Sequence, residues 1–460
     1  MAAAYQVAEF LTERPYMLLD NLKKKAAMLA GGGTSVRQLV SASRKLLSEE
    51  GEASGTTRAK QTLDLYAALD AAKRLQWFGA LKRDFAPDPE RVLAAAKAYA
   101  LEPSSNHLET LTFVTEPPRQ ELLRRLNRAP GGTRIIVNMR EKLLDALRKD
   151  AELKQVDADF RHLLSSWFNP GFLQMVRVDW NSPATLLEQV IQHEAVHEVR
   201  GWNDLRRRLQ PDRRCFAFFH PVMPSEPLIF VEVALVDAMS PRIGPLLDME
   251  AVTGDAERFR TAVFYSISNC QPGLRGVSLG NFLIKQVVDQ LSQEFPRLRV
   301  FCTLSPIPGF REWLKQQMAN KYAGLATPPS EKLNAAIRAI TASTLGEHIG
   351  SSATELRAHL KLINALQKPL TCLAAAYLTG TGEDISKNGG TSTDPVARFH
   401  LNNGAKLDRL NWGADESDKG LRQSLGMMVN YVYEPRQIEG NHEKFVRGVT
   451  VASSQVQALL

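Results

Sequence analysis

In the amino-terminal half of the chain, apolar positions recur every three to four residues among polar ones, which is the period of a helix with one buried face. Leu65, Leu69 and Ala72 follow that spacing, and Met139, Leu143 and Leu147 follow it again. Asp88-Pro89-Glu90 places a capping side chain, a first-turn proline and an acid ahead of VLAAAKAYA, so a helix starts there. Breaks at 31–35, 51–56 and 130–133 divide the region into helices of ordinary length, and Asn169-Pro170-Gly171 closes it. The pattern predicts an all-helical bundle over residues 1–168, burying one apolar stripe and offering another face for oligomerisation.

The period changes later in the chain. Residues 261–267 are rich in β-branched and aromatic side chains and read as a strand. After the turn signal Gln271-Pro272-Gly273, Leu279, Leu283, Val287 and Leu291 return to helical spacing, and residues 298–303 form a second strand. A strand, helix and strand joined this closely form a crossover unit whose strands run parallel, with their carboxyl ends at one edge. Helical segments at 331–345, 354–365 and 370–378 follow. The run 380–395, with four glycines, precedes a strand bearing His400; it reads either as a lid or as a connector. The expected fold is α/β in the α+β sense. An all-helical domain (1–168) precedes a mixed-sheet domain (169–460) with a helical insertion at about 311–380.

Composition changes this picture little. The 460 residues, 44% of them hydrophobic, suit two domains. No apolar run is long enough for a membrane span, and the start of the chain lacks the layout of a secretion signal, so a cytoplasmic location without membrane partners is expected. Cys215, Cys270, Cys302 and Cys372 form no paired motif and read as buried thiols, with Cys270 and Cys302 near the expected pocket and open to thiol reagents. The net charge of +7 is concentrated at Arg206, Arg207, Arg208, Arg213 and Arg214. That patch reads as a solvated helix end or a rim that steers a polyanion; no nucleic-acid-binding pattern accompanies it.

His193-Glu194-Ala195-Val196-His197 matches the zinc-protease pattern on an expected helix running from Pro183 toward Trp202. Without a third ligand or downstream signature it reads as a polar helix face, and no metal is expected.

The chemistry points to the crossover. Gly276 and Gly280 remove Cβ atoms where first-turn amides stand unpaired at the positive end of a helix dipole, an arrangement that accepts phosphate. Arg275-x-x-Ser278-x-Gly280 resembles the pyrophosphate loop of GNAT acyltransferases, with Ser278 where glycine is usual. Ser305, just past the second strand, stands at the same sheet edge.

The phrases FYSISNCQPGLRGVSLGNFLIK, LSPIPGF, ARFHLNNGAKLDRLNWGADES and LGMMVNYVY resemble the malonyl-CoA decarboxylase family. The resemblance implies a GNAT-like catalytic domain behind a helical one. It also implies conversion of malonyl-CoA to acetyl-CoA without a cofactor, and a homo-oligomer, a tetramer built as a dimer of dimers. It places the catalytic pair on Ser305 and His400. The acyl-CoA-binding loop falls on Arg275, Gly276, Val277, Ser278, Leu279, Gly280 and Asn281, with Ser266 and Tyr433 as further substrate-binding positions. Ser278 stands where relatives carry an acid, so no acid or base role passes to it.

Decarboxylation needs no organic cofactor in such a site, because the thioester carbonyl delocalises the carbanion as an enolate. The protein must orient the carboxylate, stabilise the oxyanion and protonate carbon. An imidazole titrating near working pH makes His400 the expected general acid. The alternatives are a GNAT-type acyltransferase, which would need an acceptor channel, and a noncatalytic CoA-binding regulator.

Overall fold

The computed structural model describes residues 34–48, 51–277, 279, 283–322, 330–380 and 394–460. By their contacts these fall into two units, one running through Trp167 and including Pro272–Val277, the other comprising the remainder.

The first unit is helical throughout: Val36–Leu47, Glu52–Ala67, Ala71–Asp84, Pro89–Leu101, Ser105–Thr115, Pro118–Asn127, Gly132–Leu147 and Lys154–Trp167. The Asp88 cap is present as expected, its carboxylate accepting from the Glu90 and Arg91 amides. Two details differ from the sequence reading. Leu65 and Ala72 lie on separate helices, because Asp70 caps a new one and leaves Leu69 buried in the turn between them. Gly51 precedes a helix as expected, but residues 52–56 already form the start of that helix. The hairpin Pro89–Leu101 and Ser105–Thr115 buries only Ala95 and leaves Leu93, Leu101, Leu108 and Phe113 exposed.

Pro272–Val277 packs within this unit against the Gly132–Leu147 helix. Buried Arg140, paired with Asp157 at 2.8 Å, donates to the Gly273 carbonyl at 2.7 Å. A Cβ on Gly273 would come within 2.0 Å of the Val137 carbonyl oxygen, so only glycine permits this approach.

In the second unit, eight strands among the described residues form one mixed sheet: β1 (Gln174–Val178), β2 (Arg213–Phe219), β3 (Ile229–Val236), β4 (Thr261–Asn269), β5 (Val300–Thr303), β6 (Ser305–Pro306), β7 (Lys406–Asn411) and β8 (Met428–Tyr433). The order is β1-β2-β3-β4-β5-β8-β6, with β7 also paired to β8. β1 to β4 are antiparallel, and β4 and β5 are parallel, as the crossover requires. Helices followed by a mixed sheet are the architecture expected. Both faces are covered, since Phe230 and Ala234 on one side of β3 and Val231 and Leu235 on the other are all buried.

The crossover helix is described from Leu283 to Glu294, later than the expected start. Helices at Glu331–Thr341, Ala353–Ala358, Leu360–Ala365 and Gln367–Thr379 occupy the insertion, with the expected 354–365 segment divided in two. Most of the glycine-rich run, 381–393, lies outside the described residues. His400 sits on the helix Pro395–Asn402, not on a strand, because Asp394-Pro395 starts a helix as Asp88-Pro89 does.

The arginine patch is not a solvated rim. Arg207, Arg208, Arg213 and Arg214 are buried, and Arg206 alone of the five is exposed. Arg207 forms a two-pronged pair with Asp212 at 2.8 and 3.0 Å, Arg208 meets Asp204 and Glu232 at 2.9 Å each, and Arg214 meets Glu294 at 2.6 Å. Glu232 is fully buried, and burial pushes its carboxyl up to about 7 despite Arg208.

Candidate active site

The antiparallel pairing of β8 with β5 and β6 sets Phe301 opposite Tyr433 and Ser305 opposite Val429. Side chains two apart on a strand share a face, so Thr303 and Ser305 come together, as do Tyr431 and Tyr433. The Pro395–Asn402 helix brings His400 to them. Its Nε2 lies 2.9 Å from Ser305 Oγ, and its Nδ1 lies 2.8 Å from Tyr433 Oη. Ser305 in turn donates to Thr303 Oγ1 at 2.9 Å. The Tyr431 ring stacks on the imidazole, with centroids 4.7 Å apart at 27°.

These bonds select a tautomer. Ser305 spends its proton on Thr303, so its oxygen accepts from His400 Nε2–H, and Nδ1 then accepts the Tyr433 hydroxyl proton. Proton donation runs Tyr433, His400, Ser305, Thr303. Thr303 Oγ1 also accepts the Tyr431 amide at 3.2 Å, which holds it in place.

Burial pushes the His400 imidazolium down to about 3, so the ring is neutral at pH 7 and does not titrate near working pH as expected. Burial likewise pushes the Tyr433 phenol well up, so it remains a proton donor. The group is a relay of neutral acids.

Ser305 and His400 open on a cleft of about 250 Å³, walled by Phe264, Ile267, Pro306 and Phe399 and edged by Ser266 and Asn269. Ser266 lines this cleft, but its hydroxyl is spent on Glu194, at 2.6 and 2.8 Å from the two carboxylate oxygens. Glu194 also accepts from Ser268 at 3.0 Å and from the Val196 and His197 amides at 2.8 and 2.7 Å. It anchors Ser266 from behind the cleft wall.

The zinc-like motif is dismantled by this arrangement. The helix Ala184–His193 ends where Glu194 caps its terminus, so the two histidines do not share a helix face, and Glu194 is buried instead of lying on a polar helix face. Buried His197 is pushed down to about 4 by desolvation.

Of the expected acyl-CoA loop, Arg275 and Gly276 are exposed, and Val277 and Leu279 are buried. Gly276 has φ of 75°, which a side chain would strain. Ser278, Gly280 and Asn281 lie outside the described residues. Residues 275–277 group with the helical unit, whereas Ser266, Ser305, His400 and Tyr433 belong to the sheet unit. All four cysteines are buried, and burial pushes the Cys270 and Cys302 thiols up, away from the reactive thiolate. Neither lines the cleft, contrary to the expected reagent sensitivity.

Sequence reasoning missed Thr303, Tyr431, Glu194 as an anchor, and Asp394. Asp394-Pro395 carried the same helix-start signal as Asp88-Pro89. The others are tied to the site by partners distant along the chain: Thr303 by the Tyr431 amide, Tyr431 by His400 and Glu194 by Ser266.

The family model described as malonyl-CoA decarboxylase C-terminal domain matches residues 171–460, and that for the N-terminal domain matches residues 85–168. The mitochondrial malonyl-CoA decarboxylase of Anser anser anser is 38% identical over 427 residues, 87% of this chain and 84% of the relative. That of Mus musculus is 36% identical, covering 86% and 84%. Among solved structures, malonyl-CoA decarboxylase from Rhodopseudomonas palustris superposes with a TM-score of 0.80 at 45% identity, covering 92% of this chain and 99% of its own. The enzyme from Agrobacterium vitis gives 0.78 at 45% identity with the same coverage. With both domain models matched in order and relatives alike over nearly their whole length, the chain belongs to the malonyl-CoA decarboxylase family.

Proposed function

We infer that this chain decarboxylates malonyl-CoA, and propose that Ser305 and His400 carry the chemistry. The observation that supports their roles is the buried hydroxyl–imidazole–phenol chain opening on the cleft. As the bond between the carboxylate carbon and C2 breaks, carbon dioxide leaves and the electron pair moves into the thioester as an enolate. C2 must then take a proton. Rotation of the Ser305 hydroxyl from Thr303 toward the cleft delivers it, and His400 Nε2–H replaces it.

A neutral imidazole is acid enough for this task because a thioester carbanion is a far stronger base than imidazolate. The Tyr433 hydroxyl at Nδ1 offsets the charge developing on the ring. The net reaction consumes one proton, which water restores after the product leaves. Acetyl-CoA is the product of this sequence, and Arg275, Gly276 and the neighbouring loop amides are proposed to receive the CoA phosphates.

Self-association is part of the same reading, as a dimer of dimers. It is supported by the exposed Leu93, Leu101, Leu108 and Phe113 on the helical hairpin. A cytoplasmic location is also proposed; among the described residues no helix is long and apolar enough to cross a membrane.

The test is to mix the purified protein with malonyl-CoA and follow acetyl-CoA and carbon dioxide together. Equal release of both, lost in His400→Ala, is expected. Tight acyl-CoA binding without release would overturn the reading in favour of an acyltransferase or a CoA-binding regulator.

A further inference from the structure

Asp394 does more than start the helix that carries His400. Its Oδ1 accepts the Val396 and Ala397 amides at 2.9 and 3.0 Å, an ordinary cap. Asp88 makes the same kind of cap with one oxygen while exposed to solvent. Asp394 instead has no exposed surface, and its Oδ2 accepts the Gly309 amide at 3.3 Å and the Tyr377 hydroxyl at 3.2 Å. Capping does not require that second set. Gly309 ends the short segment that leaves Ser305 and opens the Phe310–Ala319 helix. One carboxylate therefore ties the helix of His400 to the segment that follows Ser305.

The surroundings are built around this tie. A Cβ on Gly309 would lie 2.2 Å from Tyr377 Oη and 3.5 Å from Asp394 Oδ2, so glycine allows the close approach. Tyr377 packs its ring against Trp313 and Phe310, with centroids 5.1 and 6.0 Å away, which fixes its hydroxyl on the carboxylate. Burial pushes the Asp394 carboxyl up, and the bonds from these four donors oppose that shift.

We propose that Asp394, with Tyr377, is a positioning residue that sets the approach of His400 to Ser305. It touches neither reacting group; it fixes the two segments that carry them. The inference rests on Ser305 and His400 being the reacting pair. A relay of hydrogen bonds is sensitive to such positioning, since a misplacement on the order of 1 Å costs about 100-fold in rate.

The two oxygens allow the roles to be separated. Asp394→Asn keeps an acceptor for the cap but turns an NH2 group toward the Gly309 amide, and Tyr377→Phe leaves the cap whole and removes one donor. The expected result for Asp394→Asn is a kcat lowered roughly 10- to 100-fold with KM for malonyl-CoA within about threefold. Tyr377→Phe should show a smaller loss of the same kind. Asp88→Asn supplies the control for cap chemistry and should leave kcat unchanged.

The decisive measurement is non-additivity. In a Tyr433→Phe background, where the relay is already impaired but turnover remains measurable, Asp394→Asn should cost less than in the wild type; a structural defect would lower rate equally in both backgrounds. Equal losses in both, or wild-type kcat in folded Asp394→Asn and Tyr377→Phe, would overturn the proposal. Ser305→Ala separates the two readings. If it turns over normally the catalytic assignment fails, and if it is inactive while Asp394→Asn is normal, only the brace fails.

Discussion

Replacing Tyr433 with phenylalanine removes one oxygen from the relay and little else. The ring is buried against Phe264, with centroids 6.3 Å apart, and phenylalanine fills the same space. What disappears is the donor 2.8 Å from His400 Nδ1. A buried acceptor left without a partner costs about 1–3 kcal/mol, and the ring can escape that cost by moving its proton to Nδ1. Nε2 then accepts from Ser305 in place of donating to it, and the acid is lost. Since about 1.4 kcal/mol is tenfold in rate, kcat should fall on the order of 5- to 150-fold, with KM little changed. Steady-state release of acetyl-CoA gives the rate, and nitrogen NMR of the imidazole reads the tautomer directly. A variant that retained full kcat with its proton still on Nε2 would refute the assignment of Tyr433 as the group that holds the acid form.

Two further outcomes follow from burial. His400 binds a proton at 6.5 when unfolded but only at about 3 when folded, so between these values the unfolded chain holds more protons and stability falls as pH drops. The contribution is whole above pH 6.5 and at pH 5 is reduced by about 2 kcal/mol; urea titrations of wild type and His400→Phe between pH 7 and 5 should differ in slope by that amount, and equal slopes would contradict a buried neutral imidazole. Arg208→Met leaves Glu232 and Asp204 without the cation they share and should cost about 3–5 kcal/mol in the same assay, a loss that an unchanged denaturation midpoint would disprove.

Local patterns in the chain specify local geometry well. The strand at 261–267, the parallel partner after it and the serine beyond that partner follow from period and turn chemistry, and all appear as β4, β5 and Ser305. The decarboxylase phrases added His400 and Tyr433, which no periodicity would pair. The misread charged groups share a cause: each has a partner that is distant along the chain. Arg214 reads as solvated until Glu294, 80 residues on, reaches it. Glu194 reads as a helix-face acid until Ser266, 72 residues on, closes over it. Asp394-Pro395 is legible as a helix start, but the burial of its second oxygen depends on Gly309, 85 residues earlier.

Those long-range bonds also explain how an anionic substrate can react in this cleft. On the proposed reading, malonyl-CoA brings its carboxylate toward Ser305 and His400, and among the described residues that line the cleft none carries a formal charge at neutral pH. A cation beside the carboxylate would bind the ground state and oppose the movement of charge from that group to the thioester oxygen, lowering KM and kcat together. Two buried acids that bond to residues around the cleft, Glu194 and Asp394, are engaged elsewhere. Glu194 is saturated by two serines and two amides, and Asp394 by two amides, Gly309 and Tyr377. Neither lines the cleft, and with both oxygens of each engaged neither is placed to deprotonate the substrate. With the carboxylates occupied and the imidazole neutral, the proposed mechanism leaves the substrate's own charge as the strongest in the cleft, and loss of carbon dioxide into an enolate protonated by Ser305 relieves it.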